Sequence, residues 1–102
     1  MPGNEWLDDE IAIAVYFAAS NYQHSLIALL LQRRGFNRTK ASVDNKLIAI
    51  RNSHLELGTG YFWDVTAAHK WASQNISNHE LLELDEEDAA MICLCQPKLM
   101  NL

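Results

Sequence analysis

Apolar residues recur near the start of the chain at the spacing of an α-helix. Ile11, Val15 and Ala18 follow one another at intervals of four and three residues, which places them on one helical face. The acidic run at 8–10 comes just before them, and acids in a first turn are favoured by the helix macrodipole. We therefore predict a first helix that begins at this run and ends at a polar break at 20–21.

A second helix is predicted over about 22–34 after a short connection. Leu26, Leu29 and Leu30 form its apolar stripe, and Gly35 is placed to end it as a C-terminal cap.

A third helix is predicted over about 39–52. Val43, Leu47 and Ile50 lie within about 60° of one another on a helical wheel at 100° per residue, and so form its inward stripe. The opposite side is small and polar, and cations flank it. Its members are Ala41, Ser42, Asn45 and Ala49.

The second half of the chain predicts a loop and two further helical regions. Residues 54–61 indicate the loop, and Asp64 is placed as the N-cap of a fourth helix over about 65–74. Ser77 and Glu80 have capping-box spacing and open a last helical region.

No stretch of five residues alternates cleanly between apolar and polar, and glycine and proline are few. These features predict an all-α fold. We expect one domain over 1–102, made of a core over 5–52, a loop and fourth helix over 53–76, and an acidic helical extension over 77–102.

The basic residues are concentrated in one segment of an acidic chain. Six of the eight lie between Arg33 and Arg51, where Asp44 is the one acid, so this stretch carries +5 while the whole chain carries −5. Such asymmetry predicts contact with an anionic ligand, either nucleic acid or an acidic protein, unless the cations are merely solvated. The acidic run 80–88 is either a solvated helix start or a cover for the basic stretch, within the molecule or across a dimer.

Several short segments along the chain form a characteristic series. They are WLDDEI at 6–11, the isoleucine–alanine pair at 27–28, the arginine–threonine helix start at 38–39, VDNKL at 43–47, and the tryptophan–aspartate pair at 63–64 with Trp71. Those over about 5–52 resemble Myb and SANT repeats, and the rest resembles extended Myb-like modules of filamentous fungal proteins.

The resemblance implies a homeodomain-like helix-turn-helix core whose third helix enters the major groove of double-stranded DNA in the nucleus. It places Asn45 where Myb repeats carry a base-reading asparagine, and Ser42 lies beside it. Asp44 stands where those repeats carry a base-reading lysine. SANT repeats that have lost DNA contact bind proteins instead, so a nuclear protein partner or a homodimer is the alternative. The cations assigned to phosphates are Arg33, Arg34, Arg38, Lys40, Lys46 and Arg51.

Other chemistry is not predicted. No nucleophile motif, phosphate loop or common zinc-finger spacing is present, so we expect a non-enzyme with no cofactor, metal site, small-molecule substrate or membrane contact. Cys93 and Cys95 are expected to pack as small apolar residues. The aromatic residues near helix ends are likewise expected in the core; they are Trp6, Phe36, Phe62, Trp63 and Trp71.

Overall fold

The computed structural model describes residues 5–59 and 62–95, and most of these are helical, which confirms the predicted all-α class. A ladder of two residues on each side, with Gly58 opposite Trp63, is the one strand pairing in the described ranges. The elements are α1 (Asp8–Ala19), α2 (His24–Arg33), α3 (Lys40–Ser53), a 3-10 turn (Leu55–Leu57), β1 (Gly58–Thr59), β2 (Phe62–Trp63), α4 (Val65–Asn75), a second 3-10 turn (His79–Leu82) and α5 (Glu86–Cys95).

Helix α1 lies at the centre of the core and contacts α2, α3 and α4. Its apolar run is buried around most of the helix, because neighbours cover it on several sides. The predicted polar break follows it, and Asn21 adopts a positive φ of 72° there, a conformation that asparagine tolerates better than most residues. None of the described helices is both long and apolar enough to cross a membrane.

Helix α2 ends as predicted. Gly35 has a φ of 92°, and the N–H of Phe36 donates to the carbonyl oxygen of Leu31 at 2.9 Å. The predicted stripe is partly wrong, because Leu29 is 39% exposed and the buried face is formed by its neighbours. They are Leu26, Ile27, Leu30 and Leu31.

Helix α3 buries the predicted stripe. Val43 and Leu47 lie in the core and Ile50 packs against it. The Thr39 hydroxyl accepts from the Ser42 N–H at 3.2 Å and caps the helix N-terminus. The start of α3 is thus fixed directly after the connection that follows α2 and carries Arg34 and Arg38.

The predicted loop at 54–61 contains more structure than expected, since a 3-10 turn and β1 occupy part of it. Gly58 has a φ of 150°, and a Cβ there would lie 2.3 Å from the Phe62 carbonyl oxygen. Phe62 itself is 79% exposed, so the core position predicted for it is wrong. The other four aromatic residues of that prediction do pack against the core.

Helix α4 begins as predicted, with the Asp64 carboxylate accepting from the Ala67 N–H at 3.1 Å. The predicted capping box at Ser77 is wrong. The Asn78 side chain caps the following 3-10 turn instead, and Ser77 donates its N–H and hydroxyl to the carboxylate of Asp9. Ser77 therefore ties the end of α4 to the start of α1.

Candidate binding surface

The outward side of α3 forms an open surface of small and polar side chains. Asn45 and Ala49 are exposed and Ser42 is half-buried, as the helical wheel predicted. Together with Lys46 and Trp6 they line a shallow concavity of about 300 Å³. We call Ser42, Asn45, Lys46 and Ala49 the α3 face.

Asp44 lies beside this face and contacts two basic side chains. Its carboxylate accepts from Lys40 at 2.8 Å, one helical turn back, and is hydrogen-bonded to the His24 imidazole at the start of α2. Hydrogen bonds from Lys40 and His24 lower the pKa of Asp44 below its ordinary value. The positive charge of Lys40 is therefore matched by a carboxylate within the molecule.

Arg38 is held at the core rather than presented to solvent. It donates to the buried carboxylate of Glu10 at 2.6 and 2.9 Å, and its guanidinium lies 4.7 Å from the centre of the Trp6 ring. Burial raises the pKa of Glu10, but hydrogen bonds from Arg38 and the Leu7 N–H outweigh this and leave it lowered. The pair joins α1 to the turn before α3.

Arg33 and Arg34 are both bound to Asp88 on α5. Arg33 donates to the Asp88 carboxylate at 2.7 Å and also contacts Asp85 and Glu87, while Arg34 donates to Asp88 at 2.8 Å. We call the contact of Arg33 and Arg34 with Asp88 the arginine clasp. The acidic run thus covers one end of the basic stretch within a single chain, whereas no ion pair joins it to α3 in the described residues.

Asp88 is buried, and this makes the arginine clasp a core interaction. Burial raises its pKa, but hydrogen bonds from Arg34, Arg33 and the Asp85 N–H lower it to about 2. Asp85 and Asp88 also cap α5 reciprocally, because each side chain accepts from the backbone N–H of the other.

The last two cations assigned to phosphate differ from these four. Arg51 donates to the Phe62 carbonyl oxygen at 2.9 Å and lies over the Trp63 ring, so it holds the strand ladder against α3. Lys46 is half-buried and makes no ion pair with the described residues.

Sequence reasoning did not identify Glu10 and Asp88 as the partners of the arginines. Glu10 was assigned only a helix-dipole role, although it lies three residues after Leu7, where a side chain returns to the helix start. In α5, the Asp85-x-x-Asp88 spacing is the one that allows reciprocal capping of a helix start. The neighbouring acids make this spacing hard to recognise in the sequence.

The residues considered for other chemistry are dispersed. No cluster of three or more histidine, cysteine or acidic residues in the described ranges is arranged to hold a metal ion. Cys93 is exposed, so its predicted packing role is wrong, and the side chain of Cys95 lies outside the described residues. His69 bonds to Ser20 and stacks on Tyr16.

Comparison with family models, with curated proteins and with solved structures finds no match to this chain.

Proposed function

We propose that this chain is a protein-interaction module that contacts its partner through the α3 face. The observation that carries the proposal is the internal pairing of the cations. Four of the six basic residues that phosphate binding would use have carboxylate partners in the same chain. Because affinity for nucleic acid rises with the number of phosphates neutralised, this pairing favours a protein ligand.

The character of the exposed surface supports the same proposal. The α3 face combines small side chains with one amide and one ammonium group, and Ile48 on the same helix is 60% exposed. Trp6 borders the same concavity, and protein interfaces are enriched in aromatic residues. The first three helices each contact the other two, which is compatible with a homeodomain-like core. The resemblance to SANT repeats supports a nuclear, chromatin or transcription complex as the setting.

The direct test is site-specific photo-crosslinking. A photoreactive p-benzoylphenylalanine replaces exposed Ala49, and a matched control places it at exposed Glu86 on α5. In a nuclease-treated extract of the source cells, we expect the chain that carries the photoreactive residue at position 49 to form a protein adduct. An excess of wild-type chain without that residue should abolish the adduct by competition, whereas an excess of the Asn45→Arg variant should not. An adduct of equal yield at position 86, or one that requires nucleic acid, would contradict the proposal.

Double-stranded DNA is the second candidate ligand, and the arrangement of Ser42, Asn45 and Lys46 on one outward face favours it. An outward asparagine is able to pair bidentately with adenine. If the ion pairs of Arg33, Arg34, Arg38 and Lys40 persist, Lys46 is the cation of the α3 face that can meet phosphate. Its contribution to the slope of log affinity against log salt should then be about −0.9, by the counterion-release rule.

Fluorescence anisotropy with duplex pools at low salt tests this candidate. We expect Asn45→Ala to cost roughly 1–3 kcal/mol and relax preference at one base, while Lys46→Ala weakens all sequences alike. Failure to bind any duplex at low salt would remove DNA from consideration. Light scattering on the same samples tests the third possibility, a homodimer.

A further inference from the structure

A second concavity lies where α1, α3 and α4 meet. It has a volume of about 270 Å³ and is more enclosed than the surface around Asn45. None of its lining belongs to the α3 face. The lining residues are Asp8, Ile11, Ile50, His54, Trp71 and Asn75.

The charges around this cleft are negative. Asp8 is exposed and makes no ion pair or side-chain hydrogen bond with the described residues, unlike Asp9 and Glu10 beside it. Helix α4 ends at Asn75 with no basic residue in its last turn. The Asn75 side-chain amide donates to the Trp71 carbonyl oxygen at 2.8 Å, but no cation of that turn offsets the partial negative charge of the C-terminal carbonyls.

The walls of the cleft suit an aliphatic stem. Ile11 and Ile50 are partly buried and pack against the core, so they present apolar surface at its sides. Trp71 adds an indole whose centre lies 5.4 Å from that of the His54 ring. Tryptophan is the aromatic side chain most attractive to a cation, and the attraction grows when the cation is partly desolvated.

We propose that this cleft binds the side chain of a lysine from a basic peptide segment. The four-carbon stem would lie on Ile11 and Ile50, and the ammonium would lie between the Asp8 carboxylate and the Trp71 indole. Charge complementarity selects this occupant, because an unpaired carboxylate and a helix C-terminus both disfavour an anion. The site does not depend on which ligand the α3 face binds.

The test is an NMR titration of the full chain with N-acetyl-lysine methylamide. The comparison ligand is N-acetyl-norleucine methylamide, which has a similar stem and no charge. The indole N–H signal of Trp71 reports on the cleft, while Trp6 and Trp63 serve as internal references in the same spectrum. We expect a saturable shift confined to Trp71 and affinity about tenfold higher for the lysine ligand, as an exposed ion pair and a cation–π contact would provide together.

The key variant is Asp8→Asn, because Asp8 is exposed and unpaired and its loss leaves the core intact. We expect it to abolish the preference for lysine over norleucine. Glu86→Gln, which also removes an exposed acid from the first turn of a helix, should leave that preference unchanged. Unchanged Trp6 and Trp63 signals verify the fold of both variants.

Three results with the lysine and norleucine ligands would overturn the proposal. They are equal affinity for the two ligands, shifts of similar size at all three indoles, and an Asp8→Asn variant that behaves like the wild type. An N-acetyl-arginine methylamide control distinguishes lysine from positive charge in general, and equally tight binding of that ligand would refute the assignment to lysine.

Discussion

The connection between α2 and α3, at 34–39, and the outer face of α3 belong to one basic stretch. We call this connection the turn before α3. Its arginines are paired with buried carboxylates, whereas Lys46 on the outer face is not so paired in the part of the chain that the structure describes. The side chains of Arg34 and Arg38 are 8% and 10% exposed, and each is paired with a carboxylate that is 4% exposed or less. Lys46 has no carboxylate partner among the described residues. The two regions differ in what distant segments bring to them, because α1 and α5 supply buried acids only to the turn. A cluster of cations in a sequence therefore does not show which of them are available to a ligand.

The largest expected effect is on the turn. Arg38→Met keeps most of the side-chain volume but leaves Glu10 buried without its partner, so we expect the free energy of unfolding to fall by about 3 kcal/mol. Urea denaturation followed by circular dichroism measures it. The matched control is Lys46→Met, for which we expect a change within about 0.5 kcal/mol. Equal losses in the free energy of unfolding for the two variants would contradict the difference in pairing between Arg38 and Lys46.

The contribution of the arginine clasp to the free energy of unfolding should be lost in acid. The pKa of Asp88 is about 2 in the folded chain against an ordinary value of 3.8, so the unfolded chain binds more protons between these values. Stability from this group is therefore present above about pH 4 and is lost as the pH falls towards 2, by about 2 kcal/mol in total. Urea denaturation across this range, compared with Asp88→Asn, isolates the contribution. If the variant shows the same pH dependence as the wild type, Asp88 is not the group responsible.

A smaller effect concerns the position of α3 itself. Thr39→Ala removes the side-chain cap of this helix, and we expect a loss of about 1 kcal/mol in the free energy of unfolding. Thr66→Ala is the control, because Thr66 is an exposed threonine within α4, whose N-cap among the described residues is Asp64. Thermal or urea denaturation of both variants measures the difference. A loss as large for Thr66→Ala would assign the effect to helix propensity.

The smallest effect on stability is expected at the α3 face. Asn45→Ala should change the free energy of unfolding by less than about 0.5 kcal/mol, because the side chain is exposed and alanine favours helix. The same variant should nevertheless reduce the yield of the adduct formed from position 49. If stability and adduct yield fell together, Asn45 would be a residue that supports the fold. The loss of the adduct would then not show that Asn45 contacts the partner.

The helices were predictable because their signals are local. The apolar spacing of α1 and α3, Gly35 after α2 and Asp64 before α4 each act within one or two turns, and the structure bears them out. The errors at Leu29 and Phe62 have another origin. Helical spacing assigns a residue to a face, but only neighbouring elements decide whether that face is covered.

The charged contacts were not predictable for the same reason. Arg34 and Asp88 are separated by 54 residues, and no periodicity links them. Ser77 was assigned to a local cap by its spacing from Glu80, whereas it bonds to Asp9, 68 residues away. Local patterns thus predicted the elements of this chain, and long-range pairing determined which polar residues remain exposed.

Helix α5 is attached in an unusual manner, since much of its length is exposed and its one buried side chain in the described residues is a carboxylate. Most helices are held by apolar surface, whose contribution changes little with pH. In α5, Met91 and Ile92 are only partly buried against the core, so protonation of Asp88 removes the one buried contact of the helix among the described residues while the apolar core of α1, α2 and α4 is unaffected. Helix α5 should therefore open as a cooperative unit of its own, with amide hydrogens that lose their protection before those of α1 as the pH falls from about 4 towards 2.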